Sequence, residues 1–216
     1  MNPYKKVLFP IHIFQSHIKE NELIKKELYS EIENYHNNQG GKVPEGWETD
    51  KLTTSFDSDN FNFELFAKNN VTQKLYEKYI LKFFDKPTKV NVLEMWFNYY
   101  SNGEYQEVHS HVQPDIFGIR PHFSCIHYLK FDPEVHQPGV FNDPIRYFRS
   151  TNSLELDSNN YDQQYIPQLR EGSILMFPPY LEHHVPKSKP TPDNPRISVA
   201  FNIVATEYGE EKLYGS

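Results

Sequence analysis

The sequence predicts a mainly β protein, a sandwich or jelly roll, flanked by two α-helices on its N-terminal side. From residue 89 onward about eight short apolar or aromatic runs follow one another at roughly 8–15 residue spacing, separated by Pro-, Gly-, Asn- and Ser-rich turns. Before them, two stretches place apolar residues at helical intervals instead. The chain has 216 residues, 38% hydrophobic and 15% aromatic, which is enough to build one packed core. No linker-like composition separates the helices from the strands, so the chain is expected to be one domain. Its parts are a mostly helical 1–88, a jelly-roll core at 89–206 and a tail at 207–216.

Taken in order, residues 6–14 read as a short strand interrupted by Pro10. Asn21 caps a predicted helix reaching about Tyr35, with Ile24, Leu28, Ile32 and Tyr35 as its apolar stripe. A Gly40-Gly41 break follows, then a polar, irregular stretch at 42–61 anchored by Trp47. A second helix is expected over 71–84, with Val71, Leu75, Tyr79 and Phe83 repeating at four and Pro87 closing it. The strands are expected at 90–100, 105–112, 123–131, 139–141, 163–169, 172–177, 183–186 and 196–205. Residues 150–160 are Ser-, Asn- and Asp-rich and read as a loop.

Charge and composition exclude several roles. The net charge of −7 and the absence of a Lys/Arg cluster argue against a nucleic-acid surface. No apolar run approaches the ~20 residues of a membrane span, and the first ten residues lack the apolar core of a signal peptide. The single cysteine, Cys125, lies in an apolar run and reads as a buried small hydrophobe. With no internal disulfide possible, a reducing, cytoplasmic location is expected.

The chemistry gathers around His109-Ser-His111. In a strand over 107–112, the period of two places both imidazoles on one face, where they converge on one metal ion. A further candidate stands in Leu181-Glu-His183-His184-Val185, and strand alternation lets only one of its two histidines face the same way. Arg196 and Ser198 are also two apart on a predicted core strand. An inward arginine is costly without an anion, and a guanidinium beside a hydroxyl makes a carboxylate receptor. The lone histidines His12, His17, His36, His122 and His136 read as structural, as does His127.

The ordered set Trp96-Phe-Asn98, Gly103, His109-Ser-His111, Ser124 to Tyr128, Gly172 to Pro178, Leu181-Glu-His183-His-Val185 and Arg196-Ile-Ser198 with Phe201-Asn202 resembles the Fe(II)- and 2-oxoglutarate-dependent oxygenases. The likeness is to the prolyl-4-hydroxylase-like group found in bacteria and their phages. Val7-Leu-Phe-Pro10 and Gly46-Trp47 are similar to it too, so the likeness covers most of the chain. The resemblance implies a double-stranded β-helix and hydroxylation of an amino-acid side chain or small metabolite, with Fe(II), 2-oxoglutarate and O2 consumed to give succinate and CO2. It implies His109 and His183 as metal-binding and catalytic, and Arg196 with Ser198 as the seat of the remote carboxylate of 2-oxoglutarate, with Tyr128 and Asn98 as further contacts.

The wider superfamily has a carboxylate where this chain has His111. The third ligand is therefore His111, or Asp115, or absent. Two other readings stay open: a three-histidine, cupin-like dioxygenase that does not use 2-oxoglutarate, and a non-catalytic jelly-roll binding or virion module. Partners are expected to be a small molecule or peptide, with no nucleic acid or membrane; substrate and oligomeric state are not legible.

Overall fold

The computed structural model describes residues 10–39, 43–49, 52–56, 71–112, 120–146 and 163–207. The expected strand at 6–14 falls partly, and the loop at 150–160 wholly, outside these residues. In chain order the elements are β1 (Phe14–His17), α1 (Asn21–Gln39), β2 (Thr53–Thr54), α2 (Val71–Ile80) with a 3₁₀ turn (Leu81–Phe83), β3 (Thr88–Tyr100), β4 (Gln106–His109), β5 (Phe123–Lys130), β6 (Val140–Asn142), β7 (Gln164–Tyr165), β8 (Ser173–Phe177), β9 (His183–Val185) and β10 (Arg196–Glu207).

The strands form two antiparallel sheets. The larger has the order β1-β8-β5-β10-β3-β2, the smaller β4-β9-β6-β7. That is the expected jelly roll with two helices on its N-terminal side. The β-rich part expected at 89–206 runs from Thr88 to Glu207. Two strands precede it: β1 begins at Phe14, where the strand expected at 6–14 was to end, and β2 lies inside the stretch read as irregular.

Alternation decides which residues face which way. On β3, Met95, Phe97 and Tyr99 pack with the helices, as do Cys125 and Leu129 of β5, Ile174 and Met176 of β8, and Ile197, Val199, Phe201 and Ile203 of β10. The intervening residues Trp96, Ile126, Tyr128, Leu175, Phe177 and Ala200 form a second core between the sheets. The helices cover only the outer face of the large sheet, so its inner face, opposite the small sheet, is left for the site.

Helix α1 lays Ile24, Leu28 and Ile32 on that outer face, all fully buried, as its stripe predicts. Asn21 does not cap it. Its side-chain N–H donates to the Leu129 carbonyl of β5 at 3.1 Å, and its Oδ1, the atom a cap would use, is buried with no partner. In α2 the stripe is rotated from the expected one: Leu75, Tyr76, Tyr79 and Ile80 are buried, while Val71 is exposed. Tyr76 explains the rotation, since it stacks on Phe201 at 4.8 Å and reaches His127 Nδ1 at 2.9 Å. The helix ends at Ile80, and the 3₁₀ turn carries the chain to the bend before β3.

The β3–β4 turn sets the height of the first histidines. Gly103 has φ +78°, and a Cβ there would lie 2.7 Å from the Ser188 carbonyl oxygen, so the turn needs glycine. The Glu104 carboxylate closes the same turn by accepting from the backbone N–H groups of Ser101 and Asn102 at 2.7 and 2.6 Å.

Candidate functional site

Register brings the histidines together. His109 on β4 pairs directly with His183 on β9, and Phe141 on β6 flanks His183 from the other side. The β4–β9 register shifts between Gln106 and His109, a bulge that turns both side chains inward. The expected strand over 107–112 in fact stops at His109. His111 still arrives on the same side, because its backbone N–H bonds to the Pro179 carbonyl at 2.8 Å and ties the chain beside β9. One ligand atom from each of His109, His111 and His183 lies within 4.8 Å of the others. Nitrogens sharing an ion at ~2.1 Å stand no more than ~4.2 Å apart, so the cluster is within about an ångström of holding one.

The tautomers of His109 and His183 follow from their partners. His109 Nδ1 lies 2.8 Å from the Glu107 carbonyl, and His183 Nδ1 lies 3.0 Å from the Leu181 carbonyl. A carbonyl only accepts, so Nδ1–H donates in both and Nε2 keeps a free lone pair. Burial lowers the pKa of all three rings. His111, fully buried and beside His109, is pushed down to about 3. The cluster is thus three neutral imidazoles, the form in which histidine ligates. His184 pairs with Val140 and is not part of it. Asp115 lies outside the described residues.

Behind the histidines stands Arg196, 4% exposed. Its guanidinium carbon is 4.4 Å from the centre of the Tyr100 ring and 5.3 Å from that of Tyr128. Its Nε and Nη1 are buried with no hydrogen-bond partner. Tyr100 does not supply the missing anion, since burial pushes its pKa up to about 12. Ser198 faces Asn98 on one side and Tyr128 on the other, and the Asn98 Oδ1 is likewise buried without a partner. The Tyr128 hydroxyl accepts from the Gly139 N–H at 3.2 Å. One small cavity joins His109, His111 and His183 to Asn98, Tyr128, Arg196 and Ser198.

Among the described residues, those proposed from the sequence as metal, cosubstrate or catalytic contacts therefore lie at one place; Tyr100 and Gln106, not singled out, join them, as does Asn202, named only as part of the motif set. Tyr100 and Gln106, linked by a hydrogen bond at 3.2 Å, wall the arginine. Asn202, fully buried, accepts from Ser124 at 2.6 Å and stands against His111. The signal for Tyr100 and Asn202 was parity: each is an even number of residues from Trp96 or Arg196 on its strand. Of the solitary histidines, His36 bonds to Thr53 Oγ1 at 2.8 Å, His122 to the Ala205 carbonyl at 2.9 Å and His136 to the Asn194 carbonyl at 2.8 Å.

Two facing antiparallel sheets with this cluster at one end of the space between them define a double-stranded β-helix of the oxygenase type. The chain belongs to the family described as "Putative 2OG-Fe(II) oxygenase", which matches residues 94–202, just over half its length. It is thus an Fe(II)- and 2-oxoglutarate-dependent oxygenase, and its cofactors are Fe(II), 2-oxoglutarate and O2. The two readings without 2-oxoglutarate fall away.

Solved structures share the fold. A prolyl-4-hydroxylase from Pseudomonas putida has a TM-score of 0.54 at 14% identity, over 89% of this chain and 92% of that one. HygX from Streptomyces hygroscopicus, with nickel, 2-oxoglutarate and hygromycin B bound, has 0.53 at 14%, over 89% and 82%. EctD from S. alaskensis, with 2-oxoglutarate and 5-hydroxyectoine, has 0.53 at 13%, over 89% and 72%. No curated protein sequence matches the chain. Among the described residues no helix is long and apolar enough to cross a membrane.

Proposed function

We propose that His109, His111 and His183 hold the iron, and that Arg196 with Ser198 receives the remote carboxylate of 2-oxoglutarate, aided by Asn98 and Tyr128. The observation that carries this is the convergence of three neutral imidazoles, with ligand atoms within 4.8 Å, in front of an arginine lacking partners at Nε and Nη1. The donor set fits: imidazole suits iron, and the usual carboxylate place is taken by His111. Three neutral ligands leave the ion's charge uncompensated, and the arginine adds another positive charge. A dicarboxylate is the complement of both.

When bound, the iron supplies oxidation of an unactivated C–H bond: R–H, 2-oxoglutarate and O2 give R–OH, succinate and CO2, one oxygen atom entering each organic product. The protein's share is positional. The Glu107 and Leu181 carbonyls fix the tautomer of two ligands. Tyr100 and Tyr128 hold the guanidinium by its faces and leave its N–H edge for a carboxylate. The cavity holds about 20 Å³, roughly one water, so the lining side chains must rotate to admit the cosubstrate.

The substrate is a small molecule or a peptide side chain, the classes represented by the proline hydroxylase, HygX and EctD neighbours. The acidic net charge and single buried cysteine support a reducing, cytoplasmic setting and no nucleic-acid partner. The chain acts as one oxygenase unit. His183→Ala is expected to abolish iron-dependent succinate formation, and His184→Ala to spare most of it. Equal loss in both variants, each folded by circular dichroism, would contradict the assignment.

A further inference from the structure

His109 and His111 also line a second cleft of about 110 Å³, one that Arg196 does not line. A cavity needs only ~10–15 Å³ on this measure to hold a water, so there is room for a small organic group. Its aromatic lining comes from three places in the chain. Trp47 and Phe56 stack at 5.8 Å, and Phe56 meets Trp96 edge-on at 5.0 Å. Trp96 in turn packs against the His111 ring at 5.3 Å.

Glu107 also lines this cleft. Its Oε1 accepts a long bond, 3.3 Å, from the Glu48 backbone N–H. Its Oε2 is buried and has no hydrogen-bond partner, and no lysine or arginine pairs with it among the described residues. A buried carboxylate oxygen left without a donor is costly. Aromatic faces attract cations through their quadrupole, and a carboxylate among them selects for positive charge over mere apolarity. A neutral ring would satisfy the aromatic walls but not Glu107.

We propose that this cleft recognises a cationic amine, so that the oxygenase substrate carries an ammonium or quaternary ammonium group held against the wall that Trp47, Phe56 and Trp96 form, with Glu107 as its counter-charge. The amine then presents its neighbouring carbons to the His109 and His111 side of the site. This rests on the metal-site reading for what happens to the substrate, but not for what binds.

The chain has two tryptophans, Trp47 and Trp96, and both line the cleft, so tryptophan emission reports on this site. The full-length protein, loaded with Mn(II) and 2-oxoglutarate, is titrated with choline, with its neutral isostere 3,3-dimethyl-1-butanol, and with N-acetylprolinamide. Choline is expected to give a saturable emission change. The two neutral probes should bind about tenfold or more weakly, and Glu107→Gln should weaken choline by about ten- to hundredfold while leaving the neutral probes unchanged. The proposal is overturned if choline gives no saturable change, if either neutral probe binds as tightly, or if Glu107→Gln leaves choline affinity intact. Succinate release by the Fe(II)-loaded protein is followed in parallel. Choline binding without any 2-oxoglutarate turnover would leave the cleft standing and sink the oxygenase site; turnover without charge discrimination would do the reverse.

Discussion

The two faces of the large sheet are made by the same strands, yet they are different materials. On β10, Ile197, Val199, Phe201 and Ile203 face the helices and are fully buried in apolar company. Alternating with them, Arg196, Ser198 and Asn202 face the small sheet, no more than 4% exposed and polar. On the outer face these four side chains of β10 are satisfied by packing alone. On the inner face Arg196 and Asn98 are buried with polar atoms that nothing in the described protein satisfies. Burial of that kind opposes folding, so the outer face supplies stability that the inner face draws on.

The largest expected effect breaks the outer face. Phe201→Ala removes a fully buried ring that Tyr76 stacks on, and is expected to cost about 3–5 kcal/mol in urea unfolding. The variant that remains folded should bind 2-oxoglutarate with unchanged affinity in calorimetry. A large affinity change would show that the two faces are not separable.

Arg196→Ala is the mirror experiment. It should lower 2-oxoglutarate affinity by about one to two decades, the worth of roughly 1.5–3 kcal/mol for hydrogen bonds to a charged group. Stability should change little, because the lost guanidinium has two buried nitrogens without partners. Arg196→Lys should restore only part of the affinity, since an ammonium cannot form the planar fork. Unchanged binding in Arg196→Ala would remove the arginine from the cosubstrate site.

The smallest effect sharpens the outer face. His127, bonded to Tyr76, is fully buried there, and burial pushes its pKa down to about 3, with the charges of His17 and Lys25 adding to the effect. Its unfolded value is ~6.5, so below that pH the unfolded chain takes up a proton that the folded chain refuses. Stability should therefore be fully present above pH ~6.5 and fall on acidification, by at most ~1.4 kcal/mol per pH unit from this group. His127→Gln removes the titration, so its urea midpoints between pH 7 and pH 5 should fall less steeply than those of the wild type. Parallel slopes would show that His127 does not titrate as its burial requires.

How much of this the sequence disclosed follows from the range of each signal. The long buried strands β5, β8 and β10 and the stripe of α1 are local patterns and read well. The parity of Arg196 with Ser198 was visible because both sit on one regular strand. β2 was not legible, because two threonines in a polar stretch gain their strand state only by pairing with Tyr99 and Asn98. The reach of His111 was inferred from a strand that ends two residues earlier; a backbone bond to Pro179, far along the chain, does the work instead. Trp47 and Phe56 come to the site from the segments around β2, and no local spacing announces that.

The central claim is that a histidine, His111, stands where related sites have a carboxylate and completes the metal site. Metal content is measured by elemental analysis after identical anaerobic Fe(II) loading of the wild type and the His111→Ala, His111→Asp and Asp115→Asn variants. One iron per chain in the wild type, in His111→Asp and in Asp115→Asn, with loss in His111→Ala, is the predicted result. Full occupancy in His111→Ala together with loss in Asp115→Asn would contradict it and move the third ligand to Asp115.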